Sequence, residues 1–288
     1  MHTKVLSFLF LSLLFSSTAF SQTPLFKVVL PDSLQAVVDR NSCVTISSAN
    51  GKKEIEPREY LDCKSLKKVV VEEGIEKIGE YAFLGCENLE SIELPSSLKE
   101  IGEGAFRECS ALESLVIPEG VKVLPAYMCA WDSSLTSVTL PSGIEDIGRN
   151  AFSYCSGLRH IDFPPGLKHI GPNAFSFCTS LDEAMLPASI EELESYAFSG
   201  CENLQQATLP TNSNMLGEMI FTGCRNLKEI ACLSEVPPTF DCDSPLFDPL
   251  EVDLWNNCRL IVPEESVHLY SKAPGWIFFF EKPEVNSQ

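Results

Sequence analysis

Basic residues are scarce in this chain. Against 40 Asp and Glu there are only 21 Lys and Arg in 288 residues, giving a formal charge of -19 and a pI near 4.6. Nucleic acid and anionic membrane surfaces both call for a basic face, so this balance argues against either as partner. Histidine is scarcer still, with four residues, and none has a second His or Cys at ligand spacing. The 12 cysteines include no Cys-x-x-Cys pair, so a thiolate metal site is not expected. The sequence patterns of phosphate-binding loops, dinucleotide folds, zinc hydrolases and serine-hydrolase elbows are all missing. The reading is therefore a protein that is not an enzyme and carries no cofactor and no metal.

One apolar run is present, at the N-terminus. Lys4 precedes Val5–Phe15, and the small residues Ala19 and Ser21 lead up to Gln22. The run is shorter than the roughly 20 residues that span a bilayer. Its charge, length and small-residue end fit a signal peptide over 1–21, cleaved before Gln22. No second long apolar stretch follows, so no transmembrane segment is expected after cleavage. The product is predicted to be exported: secreted, at the cell surface or periplasmic.

The rest of the chain is dominated by one repeat. From Leu61 to Phe221, seven consecutive 23-residue units run without insertion or deletion, and an eighth begins at Thr222. The sixth position is leucine throughout, from Leu66 and Leu89 to Leu204 and Leu227. Positions nine and eleven, such as Ile92 and Leu94, are apolar and alternate with polar neighbours, the period of a strand with one buried face. Proline follows in six units, as at Pro95 and Pro118, and ends the strand because it lacks an amide donor. An apolar pair, a glycine such as Gly102 or Gly171, and a closing Ala-Phe complete the unit. The closing segment is predicted to form a short helical turn whose ring fills the interior. A single unit cannot bury its own apolar edge, but stacked units wall one another in. The fold class is therefore a repeat solenoid with a parallel β-sheet whose strands lie about 4.8 Å apart.

The motifs Leu-x-x-Ile-x-Leu-Pro, Ile-Gly-x-x-Ala-Phe and Cys-x-x-Leu, as in 84–106, resemble the BspA-like, or Treponema pallidum, type of bacterial leucine-rich repeat. The resemblance spans Leu61 to about Ile230. It implies an α/β horseshoe-like solenoid with the parallel sheet on its concave face and short helical turns elsewhere. It also implies secreted or surface proteins, some of them adhesins for host proteins, with no catalytic residues to transfer. The organisation expected is a signal peptide over 1–21, an N-terminal cap with one degenerate repeat over 22–60, the solenoid over 61–232 and a C-terminal cap over 233–288. In the last segment Tyr270 and Trp276 are expected to plug the end.

Seven cysteines occupy one repeat position, from Cys63 and Cys86 to Cys224. Equivalent side chains on adjacent coils point the same way at about the coil spacing, which suits free buried thiols better than disulfides. Outside this ladder a single bridge is conceivable between Cys242 and Cys258, with Cys232 as a competing partner. The third unit is irregular. Cys129 replaces the closing Phe, Asp132 the next ladder cysteine, Pro125 the glycine, and Met128 stands where Ala is expected.

The densest chemistry on the expected concave face lies in two adjacent coils. Arg159 and Asp182 share one row, His160 and Glu183 the next, and Asp162 lies two residues beyond His160. Opposite charges across strands contribute roughly 0.2–1 kcal/mol each. These five residues are the candidate ligand-binding site on a face without a continuous aromatic stripe. The expected function is an exported repeat protein that binds a protein ligand, such as a host extracellular protein, as an adhesin. The alternatives are a structural or assembly scaffold at the cell envelope, or a glycan-binding accessory protein.

Overall fold

A computed structural model describes residues 26–29, 34–38, 43–48, 51–211, 215–240, 246–248 and 250–280. The N-terminal segment 1–21 and Cys242 lie outside these residues. The described chain winds as a parallel β-solenoid with one coil per 23-residue unit. Each regular coil contributes two short strands. The first set includes Lys68–Val71, Ser91–Glu93, Ser114–Val116, Ser137–Thr139, Glu183–Met185, Gln206–Leu209 and Glu229–Cys232. The second includes Lys77–Ile78, Glu100–Ile101, Asp146–Ile147, His169–Ile170 and Glu192–Leu193. Partners within these sets are offset by one whole unit, as in Val69↔Ile92, Ala184↔Ala207 and Asp146↔His169.

The core follows from the repeat pattern. Position-six leucines from Leu66 to Leu204 are wholly buried, and Val69, Leu115, Ile161 and Ala184 from position nine lie beneath the first sheet. Closing rings stack through the interior as Tyr60–Phe83–Phe106 and Phe152–Phe175–Phe198–Phe221, with centroids 5.1–5.8 Å apart. Cys129 stands in the gap between the two stacks. Proline carbonyls open the bend after the first strand: Leu98, Val121 and Ile144 donate their N–H to Pro95, Pro118 and Pro141.

The closing segments differ from the expected helical turn. Their amides alternate between two kinds of acceptor. Ala82, Leu84 and Cys86 donate back to Gly79, Tyr81 and Phe83, whereas Tyr81, Phe83 and Gly85 donate across to Glu103, Ala105 and Arg107 of the next coil. A helix would leave no amides for the neighbour; this alternation forms a third inter-coil ladder. It requires a left-handed backbone at two places in each unit, as at Tyr81 (φ 55°) and Gly85 (φ 73°). Helix appears only late in the described chain, at Val252–Asn257 and Val267–Tyr270.

The cysteine row has a specific partner. Cys86, Cys109, Cys155, Cys178, Cys201 and Cys224 each donate an S–H bond of 3.0–3.2 Å to the backbone carbonyl 26 residues earlier. Cysteine is small enough for the interior and still supplies a donor to a buried carbonyl. All six thiols are free and buried, as are Cys63, Cys129, Cys232 and Cys258. A Cys232–Cys258 bridge is thus not formed.

In the irregular third unit, strand pairing lapses in both sheets between units 84–106 and 107–129. The turn ladder continues through the junction, with Gly104, Phe106 and Glu108 donating to Ala126, Met128 and Ala130. Asp132 is fully buried, and its Oδ1 accepts the Cys109 N–H at 2.8 Å. Its Oδ2 has no partner. Burial pushes its carboxyl pKa well up, against the hydrogen bonds from the Cys109 amide and Cys129.

At the N-terminal end, Phe26–Val29, Leu34–Val38 and Cys43–Ser48 form an antiparallel meander whose last strand pairs in parallel with Lys68–Val71. At the other end, Arg259–Ile261 extends the first sheet and Thr239–Phe240 the second. Tyr270 and Trp276 are wholly buried and hydrogen-bond to the Ser234 and Pro238 carbonyls at 3.0 and 2.7 Å.

Candidate functional site

The first sheet positions the five candidate residues. Within Ser153–Phe175 the strand reduces to a single bridge, Ser137↔His160, where Pro164 and Pro165 follow Phe163. The neighbouring coil resumes a strand at Glu183–Met185, so the exposed row steps from a loosely held segment to a regular one. The Asp182 N–H donates to the Arg159 carbonyl at 3.1 Å, which sets the two coils in register.

The structure brings His160, Asp162 and Glu183 together. His160 Nε2 lies 3.0 Å from Asp162 Oδ1, and Nδ1 lies 3.4 Å from Glu183 Oε1. Glu183 Oε2 accepts a 3.0 Å bond from the Gln206 side-chain amide. Arg159 and Asp182 form a second group beside them. They line an open depression of about 450 Å³ with Ser180, Asn203, Gln205, Asn226 and Lys228. The depression carries two cations, one carboxylate and three amides, all from successive coils. Such a lining can hydrogen-bond a peptide backbone and pair with side chains of either sign. The His160 and Asp162 side chains are 50% and 95% exposed, so water screens their interaction.

Two further features were not anticipated from the sequence. One is an exposed aromatic rib on the turn ladder. Trp131, Tyr154 and Phe177 stack in consecutive coils with centroids 5.4 and 4.7 Å apart, and the Arg107 guanidinium lies 4.7 Å over the Trp131 ring. All three have left-handed backbones, with φ of 68°, 62° and 61°, where Gly85, Gly200 and Gly223 stand in other coils. The signal was available in the sequence as an aromatic at the second position of three successive units.

The other feature is on the second sheet. His169 Nδ1 lies 3.1 Å from Asp146 Oδ2, and Nε2 lies 2.5 Å from Glu194 Oε1 and 3.9 Å from Glu192 Oε2. Partial burial disfavours the imidazolium, but hydrogen bonds and charge from Glu194 and Asp146 outweigh it and raise the His169 pKa. No second His or Cys lies near His169 to mark these carboxylates in the sequence. Asp146 and Glu192 stand one unit before and one unit after His169, and Glu194 lies two positions beyond Glu192.

The most strongly shifted groups among the described residues are buried in the interior: Cys109, Cys129, Cys155, Cys178, Cys224, Tyr60 and Asp132, all raised by burial. A thiol raised in this way is a poor nucleophile. No described helix is long and apolar enough to cross a membrane.

Residues 53–130 and 122–238 match the BspA type leucine rich repeat region in six copies. No curated protein matches the chain. Among solved structures, a leucine rich repeat protein of T. pallidum is 25% identical, covering 72% of this chain and 91% of its own at a TM-score of 0.43. A leucine-rich repeat protein from Bacteroides ovatus is 22% identical over 85% of this chain and 79% of its own, with a TM-score of 0.48. The pneumococcal vaccine antigen PcpA is 18% identical over 87% and 96%, with a TM-score of 0.33. The matched repeats take in well over half of the sequence, and the chain belongs to the family of BspA type leucine-rich repeat proteins.

Proposed function

We propose that this is an exported binding protein that presents the exposed face of its first sheet to a protein ligand, as a secreted or cell-surface adhesin. The observation that carries the reading is the depression lined by Arg159, Asp182, Gln205, Asn226 and Lys228, flanked by the His160–Asp162–Glu183 group. Its mixed charges and successive amides suit a folded or extended polypeptide. The depression holds no aromatic ring on which a sugar could stack, so a protein ligand is preferred to a glycan. Export is supported by the 1–21 segment. The test is a surface-binding screen of residues 22–288 against immobilised extracellular matrix proteins and glycans, with Arg159→Ala/Glu183→Ala as control. A protein hit weakened at least about tenfold in the control, or roughly 1.4 kcal/mol, is expected. A hit unaffected by the double substitution moves the site elsewhere, and no binding in either class favours a scaffold role at the envelope.

A second reading places the binding face on the aromatic rib. A left-handed backbone is disfavoured by about 1–2 kcal/mol per non-glycine residue. Three exposed aromatics hold it where glycine serves elsewhere, and aromatic and arginine side chains dominate binding energy at protein interfaces.

A further inference from the structure

Position nineteen of the unit is glycine at Gly79, Gly102, Gly148, Gly171 and Gly217, proline at Pro125, and glutamate at Glu194. The glycines answer to close packing between coils. A Cβ at Gly102 would stand 2.5 Å from the Glu80 backbone nitrogen, and one at Gly217 would stand 2.2 Å from that of Ser195. Glu194 keeps the backbone bond of this row, donating its N–H to the Ile170 carbonyl at 3.0 Å as Gly171 donates to Ile147. It differs in carrying a side chain, which ends against His169.

The row around His169 is unlike the rest of the second sheet. Asp146 and Glu192 are its direct cross-strand partners on either side. One imidazole thus faces three carboxylates, and even its protonated form leaves the group two charges negative. The division of labour among them is geometric. Asp146 takes the Nδ1 side, and Glu194 and Glu192 converge on Nε2 from the next coil. A carboxylate behind one ring nitrogen and further ligands before the other is the arrangement that orients a metal-binding histidine. Nε2, a Glu192 oxygen and a Glu194 oxygen lie within 4.8 Å of one another. Ligand atoms around a tetrahedral zinc ion, with bonds of about 2.0–2.2 Å, are about 3.4 Å apart. The observed 2.5 and 3.9 Å bracket that spacing. The Glu192 and Glu194 side chains are 74% and 44% exposed, so small rotations toward solvent bring both into place.

We propose that His169, Glu192 and Glu194, with Asp146 as orienting partner, bind one divalent transition-metal ion of the zinc class. Water fills the remaining coordination positions. A nitrogen–carboxylate set without thiolate suits such an ion. The ion ties two adjacent coils together and relieves the repulsion among three carboxylates.

Isothermal titration of the folded chain with zinc chloride tests this. The variants are Glu194→Gly, His169→Ala and Asp146→Asn, each checked by circular dichroism. Glu194→Gly installs the glycine that five other units carry at this position, so the fold is preserved. The expected result is one saturable site, lost in Glu194→Gly and His169→Ala. Asp146→Asn should weaken it by roughly 10–100-fold. Zinc should also shift the His169 Nε2 resonance. The proposal is overturned if wild type shows no saturable site, if the variants bind as wild type does, or if that resonance does not move.

Discussion

Replacing Asp132 with cysteine should make the protein more stable, and increasingly so as pH rises. Asp132 occupies the row in which every other regular coil places a thiol, and it is fully buried. In six of those coils the thiol donates to a carbonyl 26 residues earlier at 3.0–3.2 Å. The equivalent acceptor for residue 132 is the Phe106 carbonyl. Asp132 leaves Oδ2 unpartnered instead. An unsatisfied buried polar group costs about 1–3 kcal/mol. Cys109 does not need the aspartate, because its N–H also donates to Phe106 at 3.1 Å. Asp132→Cys should therefore stabilise by about 1–3 kcal/mol at neutral pH, raising Tm by roughly 2–4 °C per kcal/mol.

The pH dependence follows from linkage. The folded carboxyl pKa is raised by burial, while the unfolded one sits near ~3.9. Between the two, the unfolded chain has released a proton that the folded chain keeps. Stability supplied by the protonated form is fully present below ~3.9 and is lost as pH rises toward the folded value, by up to about 1.4 kcal/mol per unit. Urea unfolding followed by tryptophan fluorescence at about pH 4.5 and about pH 7.5, both above the unfolded pKa, measures both effects. A variant less stable than wild type, or a gain equal at the two pH values, would instead mean that Asp132 is an ionised and satisfied carboxylate.

Other consequences of the stack can be measured directly. Alkylation should leave the seven ladder thiols unmodified in the native protein, and mass spectrometry after unfolding without reductant should find them all reactive; fewer than five labelled sites would argue for disulfides. Gly102→Ala should destabilise by about 1–3 kcal/mol through overpacking, because its Cβ meets the Glu80 backbone at 2.5 Å; unchanged urea unfolding would contradict the close approach. Tyr154→Gly removes left-handed strain of about 1–2 kcal/mol and two ring contacts of about 0.5–1.5 kcal/mol each. Its net effect should stay within about 1–2 kcal/mol, whereas a larger loss would make the rib part of the structural core.

The repeat period made the architecture legible, because it fixes which side chains recur on which face. Leu66 to Leu227, the closing rings and the cysteine row all lie where the period places them. The same offset pairs Arg159 with Asp182 and His160 with Glu183 across adjacent coils. What the period does not carry is the direction of each amide. The closing Ala-Phe segment therefore read as a helical turn, although its N–H groups alternate between the same coil and the next. The partner of the cysteine row was hidden for the same reason, since a carbonyl more than one full unit back has no sequence signature. Glu194 was visible as the glutamate in a glycine row. Its meaning needed the neighbouring coil, which brings His169 against it.

Hydrogen–deuterium exchange of residues 22–288, free and with the matrix protein captured in the screen, maps where ligand sits on the solenoid. Binding on the exposed face of the first sheet should protect 159–162, 182–185 and 205–208. Protection confined to the turn ladder around Trp131, Tyr154 and Phe177 would place the ligand on the aromatic rib instead.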